Sequence, residues 1–246
     1  MWLTGIDEAG RGPCLGPLVV GAVRIPQADL HLLEEEGVTD SKLLSKQRRQ
    51  ELYHWLLRQR DERGWTVASH SAQPLMIDQW MARGTLIEWE LDLFDSAATI
   101  VVAEPHRGDG GILVLDACDV NADRFGNLVV SRLAGWPWNG WKVVSEHGAD
   151  ANHMVVGAAS IVAKVERDEA VKNLSEEIGI DLGSGYPSDP KTQQVLPELL
   201  VGEEPHDSLR WRWRTIQEAW RQHKGGVVPE RGGVQSAFPQ RELYDF

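Results

Sequence analysis

A short apolar run, Trp2 to Ile6, ends on the adjacent carboxylates Asp7 and Glu8 and passes at once into Ala9-Gly10-Arg11-Gly12-Pro13. Successive side chains of a regular strand face opposite sides, so two neighbouring carboxylates share a site only where a strand ends or bulges. The run is therefore expected to be a strand that stops at Ile6, with the glycines easing the break. Gly10, Arg11 and Gly12 then form a loop whose backbone N–H groups can approach a phosphate or sugar, with one guanidinium at its centre. Two carboxylates beside such a loop call for a divalent cation. An Asp-Glu pair alone is usually a solvated surface feature; the glycine loop beside it makes this stretch the candidate site.

The rest of the chain alternates between strand-like and helix-like segments. Pro17 to Arg24 is too continuously apolar for a solvent-facing edge and is expected to pair with the first strand as a hairpin. Thr39, Asp40 or Ser45 can cap a helix that runs to about Arg60 and stops at Gly64. Lys42, Lys46, Arg48 and Arg49 crowd its start, although cations on a helix surface are usually only solvated. Trp65 to Ser69 predicts a third strand, Pro74 opens a helical region broken at Gly84, and Thr85 caps a helix whose apolar face includes Leu86, Trp89 and Leu93. Ile112 to Leu115 is a four-residue apolar strand that ends on Asp116, and open α/β sheets place their ligands at such C-terminal strand ends.

Asp119 and Asn121 read as caps of the helix after Asp116, and Trp141 to Ser145 is a fifth strand. A helix over Ala158 to Ile178 carries Lys164 and Arg167 on a face away from its buried stripe. Asp150 precedes it in a loop or an earlier turn. Tyr186, in the loop Gly183 to Pro190, either packs under a turn or offers a rigid plate for a sugar or base. Ser208 to about Gln222 is expected as a last helix in which Trp211, Trp213 and Trp220 pack, with Arg210, Arg212 and Arg214 available for packing or for a duplex backbone.

The segment Asp7 to Pro13, DEAGRGP, resembles the signature of type 2 ribonuclease H, ribonuclease HII. Similar stretches follow in that family's order: GVTDSK at Gly37 to Lys42, LVLDACDV at Leu113 to Val120, ADANHMVVGAASIVAKVERD at Ala149 to Asp168, and SGYPSDPKT at Ser184 to Thr192. The last is closest to the archaeal and eukaryotic branch. The resemblance implies an α/β, ribonuclease H-like fold: a central mixed sheet of about five strands flanked by helices, with a C-terminal helical extension. Residues 1–180 would be the catalytic domain, 181–223 a loop and helix packed on it, and 224–246 a flexible tail.

The resemblance also implies a chemistry. Asp7, Glu8, Asp116 and Asp150 are the expected catalytic and metal-ligating set. Oxygen-only ligation suits Mg2+ or Mn2+, and two ions ~4 Å apart would activate a water and clamp the scissile phosphate, with Asp7 bridging them. The implied activity is endonucleolytic cutting of the RNA strand of RNA/DNA hybrids, and of duplex DNA on the 5' side of a single embedded ribonucleotide, leaving 5'-phosphate and 3'-hydroxyl ends. Only the 2'-hydroxyl marks ribose at one position. By resemblance the backbone of Gly10, Arg11 and Gly12 and the Tyr186 hydroxyl read that group, with Lys42 and Lys164 also in the substrate-binding set. Two positions depart from the family pattern, Gly148 where a basic residue is common and Gly157 where serine is common, and weakened phosphate or metal-shell contacts are expected there.

Charge sharpens this reading. Against 25 basic residues stand 37 acidic ones, a net charge of -12, which excludes a nonspecific nucleic-acid coat and confines any nucleic-acid contact to a local patch. Cys14 and Cys118 are too few for a disulfide framework; they are read as small buried apolar side chains, with a redox-sensitive pair as the alternative. No apolar run approaches a bilayer span and the chain enters its first strand without a leader, so a cytoplasmic location is expected, and a monomer. Gln240, Leu243 and Phe246 resemble a shortened motif for the replication sliding clamp. Two other readings are a DNA-junction nuclease on the same fold, which would prefer all-DNA substrates, and a noncatalytic hybrid-binding adaptor, which would bind without turnover.

Overall fold

The computed structural model describes residues 1–102 and 109–231; the clamp-like positions Gln240, Leu243 and Phe246 lie outside them. Five strands form one mixed sheet: β1 Trp2–Ala9, β2 Leu18–Pro26, β3 Thr66–Ala72, β4 Gly111–Asp116 and β5 Trp141–Glu146. Their spatial order is β3-β2-β1-β4-β5. β1, β2 and β3 make an antiparallel meander, while β4 and β5 run parallel to β1. The helices are α1 Leu30–Glu35, α2 Lys46–Arg63, α3 Pro74–Met81, α4 Leu86–Val101, α5 Ala122–Arg132, α6 Ala149–Asn152, α7 Met154–Ile178, α8 Pro190–Val195 and α9 Arg214–Lys224. This is the expected mixed five-stranded sheet flanked by helices. No helix of the described residues is long and apolar enough to cross a membrane.

Alternation along the central strands divides the core in two. Ile6, Val20, Leu113 and Leu115 face α4 and α5 in one cluster, and Val23, Ile25 and Val114 face α2 and α7 in the other. α7 lies close on the sheet because β1 and β2 carry glycines beneath it: a Cβ at Gly5 would stand 2.3 Å from the Val155 carbonyl oxygen, and one at Gly21 2.3 Å from that of Ala159. That close approach brings Ser160 and Lys164 over the C-terminal end of β1. A third cluster, with Cys14, Leu15, Leu182, Leu209, Trp211 and Trp220, packs the C-terminal segment beneath the glycine loop.

Three local expectations are corrected. β1 does not stop at Ile6: Asp7, Glu8 and Ala9 stay in register with Gly21, Val20 and Val19 of β2. What ends at Ile6 is the pairing with β4, whose last partner is Leu115, so beyond that point β1 is bonded on one edge only. The long helix begins at Met154 rather than Ala158, because Val155 and Val156 are buried against the sheet and that packing outweighs their modest helix propensity. The last helix begins at Arg214, not Ser208, since Leu209 is engaged in a β-bridge with Leu15. Arg210 is consequently interior, with no exposed surface, and contacts the protein's own loop.

Candidate active site

The cleft at the C-terminal ends of β1 and β4 is about 470 Å³ and is lined by Asp7, Glu8, Gly10, Arg11, Gly12 and Asp116 with Lys42, Arg49, Lys164, Arg167 and Tyr186. Because the β4 pairing stops at Ile6, Asp7 and Glu8 flank an open edge onto which the last residue of β4, Asp116, abuts. The regular strand thus sends the two carboxylates to opposite faces, yet both reach that edge. One oxygen from each of Asp7, Glu8 and Asp116 lies within 4.8 Å of the others. Asp150 stands beside this trio rather than in it. Its carboxylate is buried and accepts from Lys42 Nζ at 3.1 Å, while the amide of the preceding Ala149 donates to Asp116 Oδ1 at 3.0 Å.

Burial dominates the electrostatics, with crowding of like charge behind it. Burial, then Glu8, then Asp116 hold the Asp7 carboxyl well above its usual range, opposed by a Ser160 hydroxyl and by Lys164. Burial and Asp116 likewise raise Glu8, opposed by the Cys118 thiol, which donates to Glu8 Oε2 at 3.2 Å. Lys164 Nζ donates to Ser41 Oγ at 2.7 Å and Ser160 Oγ at 3.1 Å, linking α7 to the Asp40–Lys42 turn. Burial alone would lower Lys42, but its bond to Asp150 and the nearby Asp40 and Asp7 raise it, so it stays a cation. An all-oxygen donor set whose members repel one another fits a hard divalent cation and does not fit the sulfur- and nitrogen-rich sites zinc favours.

The opposite wall is the glycine loop. Gly10 has φ +94, a conformation that favours glycine, and a Cβ there would stand 2.6 Å from the Pro17 carbonyl oxygen. Gly12 lies under Tyr186, with Tyr186 Cε1 3.4 Å from where its Cβ would be. Tyr186 is 42% exposed, and the Arg167 guanidinium lies 5.4 Å from its ring centroid. The side chain of Arg11 is tied by Nε to Glu90 Oε1 at 2.8 Å. Burial raises Glu90 to about 8 even though Arg11 opposes the shift.

The predicted residues therefore converge, with Asp150 held one step back by Lys42. Glu90 behind Arg11 and Ser41 and Ser160 beneath Asp7, which local sequence reading did not single out, also build the site, as do two basic residues it noted without a site role, Arg167 beside Tyr186 and Arg210 under the loop. At the departures, Gly148 has φ +67 and caps α6, a position that favours glycine. A Cβ at Gly157 would press on the Asp150 and Thr39 carbonyl oxygens at 3.2 and 3.3 Å, which glycine avoids. The Cys14 thiol is pushed up to about 11 by burial, and burial and Glu8 hold Cys118 well above the ordinary thiol range, so both are held as neutral thiols.

A carboxylate cluster at the ends of the parallel strands β1 and β4, faced by a glycine loop, makes a cleft suited to a divalent cation beside a phosphate or sugar. The model of the ribonuclease HII family matches residues 4–216, and the chain belongs to that family. It is 38% identical over 222 residues to the ribonuclease HII of Thermococcus sibiricus, covering 89% of this chain and 91% of the relative. The crystal structure of ribonuclease H2 from Pyrococcus horikoshii superposes with a TM-score of 0.77 at 32% identity, covering 92% of this chain and 100% of that one. A ribonuclease HII solved in complex with PCNA, from Archaeoglobus fulgidus, aligns with a TM-score of 0.73 at 34% identity, covering 87% and 96%. The protein is thus an endoribonuclease acting on RNA/DNA hybrids and dependent on divalent metal, as its family is.

Proposed function

We propose that the chain cuts the RNA strand of hybrids and the 5' side of single ribonucleotides embedded in duplex DNA, by hydrolysis that leaves 5'-phosphate and 3'-hydroxyl ends. The observation that carries this reading is the pairing of two walls across one cleft: Asp7, Glu8 and Asp116 on one side, the Gly10–Gly12 loop and Tyr186 on the other. Asp7, Glu8 and Asp116, with Asp150 as the fourth carboxylate, would hold Mg2+ or Mn2+. Bound there, the ions supply an activated water and neutralise charge on the reacting phosphate.

The rest of the work falls to this chain's own groups. Lys42 and Lys164 bring positive charge to a protein whose net charge would otherwise repel the backbone. The loop N–H groups and the Tyr186 hydroxyl contact the 2'-hydroxyl, which distinguishes ribose from deoxyribose. The exposed Tyr186 ring is free to pack on the adjoining sugar. The tail is proposed to dock on the replication sliding clamp through Gln240, Leu243 and Phe246, a reading supported by the motif and by the PCNA complex of the Archaeoglobus relative.

The test is the chemistry of the ends. A labelled RNA/DNA hybrid treated with protein and Mg2+ or Mn2+ should yield 5'-phosphate and 3'-hydroxyl termini, and chelation should stop the reaction. Products ending in a 2',3'-cyclic phosphate, or turnover that survives chelation, would refute hydrolysis by metal-held water.

A further inference from the structure

Among the described residues Arg210 is the largest fully buried side chain. Burying a guanidinium is unfavourable unless its donors and charge are compensated. Here the donors go to main-chain carbonyls of a single loop: Nε to Gly16 O at 3.0 Å, Nη1 to Arg11 O at 3.2 Å and Nη2 to Gly10 O at 2.6 Å. The planar fork engages all three at once, which an ammonium on a flexible stem does not.

The peptide bond converts that contact into aim. The Gly10 carbonyl and the Arg11 N–H belong to one planar trans unit, as do the Arg11 carbonyl and the Gly12 N–H, and in such a unit C=O and N–H point opposite ways. Drawing both carbonyls inward onto Arg210 therefore turns the Arg11 and Gly12 N–H groups away from it. Arg210 is itself held from behind. Its backbone N–H donates to Cys14 O at 2.9 Å and Gly16 N–H donates to Ser208 O at 2.9 Å. The Asp78 carboxylate takes the next two amides, Trp211 and Arg212, at 2.8 and 3.1 Å, and Arg231 closes on Asp78 at 2.8 Å. Among the described residues none of these hydrogen bonds is to Asp7, Glu8, Asp116 or Asp150.

We propose that Arg210 is a positioning residue for ribose recognition: from a segment 200 residues away it orients the Gly10–Gly12 peptide planes so that their N–H groups meet the 2'-hydroxyl. The inference rests on the proposed reading of that loop and adds the device that sets it. Contact with a lone ribonucleotide depends on one 2'-hydroxyl, whereas a long hybrid offers many registers and a uniform backbone geometry. Loss of aim should therefore weigh more on the lone ribonucleotide.

The experiment compares Arg210→Gln and Arg210→Lys with the full-length wild type, on a duplex with one ribonucleotide and on a long hybrid, alongside amide exchange of residues 9–17. The Gln variant should raise KM and lower kcat on the single-ribonucleotide duplex, together on the order of 10²-fold in kcat/KM, the scale of a misplacement of about 1 Å. The long hybrid should lose less, the Lys variant should fall between, and the loop amides should exchange faster in both variants. A merely structural arginine would lower the active fraction while leaving KM and the ratio between substrates untouched. Unchanged KM and substrate ratio in the folded Lys variant, or unchanged loop exchange, overturns the proposal, and the Lys variant carries the comparison should Gln not fold. An inactive wild type would instead count against the proposed function, and loop exchange would still judge Arg210.

Discussion

The two walls of the cleft are built on opposite principles. The carboxylate wall is left in conflict: burial, Glu8 and Asp116 hold Asp7 above its ordinary range, and burial and Asp116 hold Glu8 above its own, although a hydrogen bond with Asp7 opposes that second shift. The glycine wall is settled: carbonyls of Gly10, Arg11 and Gly16 are taken by Arg210, and the Arg11 side chain is taken by Glu90. The difference teaches how the labour is divided. The first wall stores repulsion that a cation relieves, and the second has its geometry fixed before substrate arrives, so little reorganisation remains for the reaction.

Breaking the first wall should produce the largest effect. Asp116→Asn removes a ligand at constant shape and should cost several kcal/mol of transition-state stabilisation, about 10³-fold or more in kcat. Circular dichroism and hybrid binding should be unchanged. Turnover within a few-fold of wild type would take Asp116 out of the metal-holding set.

Disturbing the second wall should be milder and selective. Tyr186→Ala removes an exposed ring and a hydroxyl without touching the core, and loss of one stacking contact is worth about 1–3 kcal/mol. Cleavage at a single ribonucleotide should fall by tens of fold, and cleavage of long hybrid by clearly less. Equal losses on the two substrates in parallel assays would contradict the division between the walls.

The smallest effect is one of linkage. In the metal-free protein Asp7 and Glu8 hold protons more tightly folded than unfolded, so stability falls as pH rises from the ordinary carboxylate range through their raised values. A divalent cation binds the ionised forms, so its stabilisation should grow over the same window and shrink below it. Thermal unfolding with and without Mg2+ should show the two curves parting as pH increases, by about 2–4 °C for each kcal/mol gained. Curves that stay parallel across the window would mean the cluster is not where the ion binds.

Much of this organisation was legible from local sequence. Ser45 and Thr85 cap α2 and α4, Asn121 caps α5, and Asp116 ends β4, because caps and strand ends are decided by residues a few positions apart. The course of β1 was not legible: alternation argued that adjacent carboxylates need a strand end, whereas the neighbouring strand stops and leaves the edge open. Nor was the place of Arg210, which the tryptophan- and arginine-rich run put in a helix and left open to packing or to a duplex backbone. Its acceptors lie 194 to 200 residues away, and no local periodicity encodes such a contact. Glu90 was hidden likewise, on the apolar helix α4, where its carboxyl accepts from Arg11 across the fold.

On this reading the carboxylate wall, loaded with a cation, cuts only where the glycine wall meets ribose. The most direct measurement is cleavage of an end-labelled DNA duplex carrying one ribonucleotide, with Mg2+, Mn2+ or chelator, beside the same duplex made wholly of DNA. A single cut on the 5' side of the ribonucleotide is expected in the presence of metal, none with chelator, and none in the all-DNA duplex. Cutting of the all-DNA duplex, or binding of the ribonucleotide duplex without any cut in either metal, would contradict it.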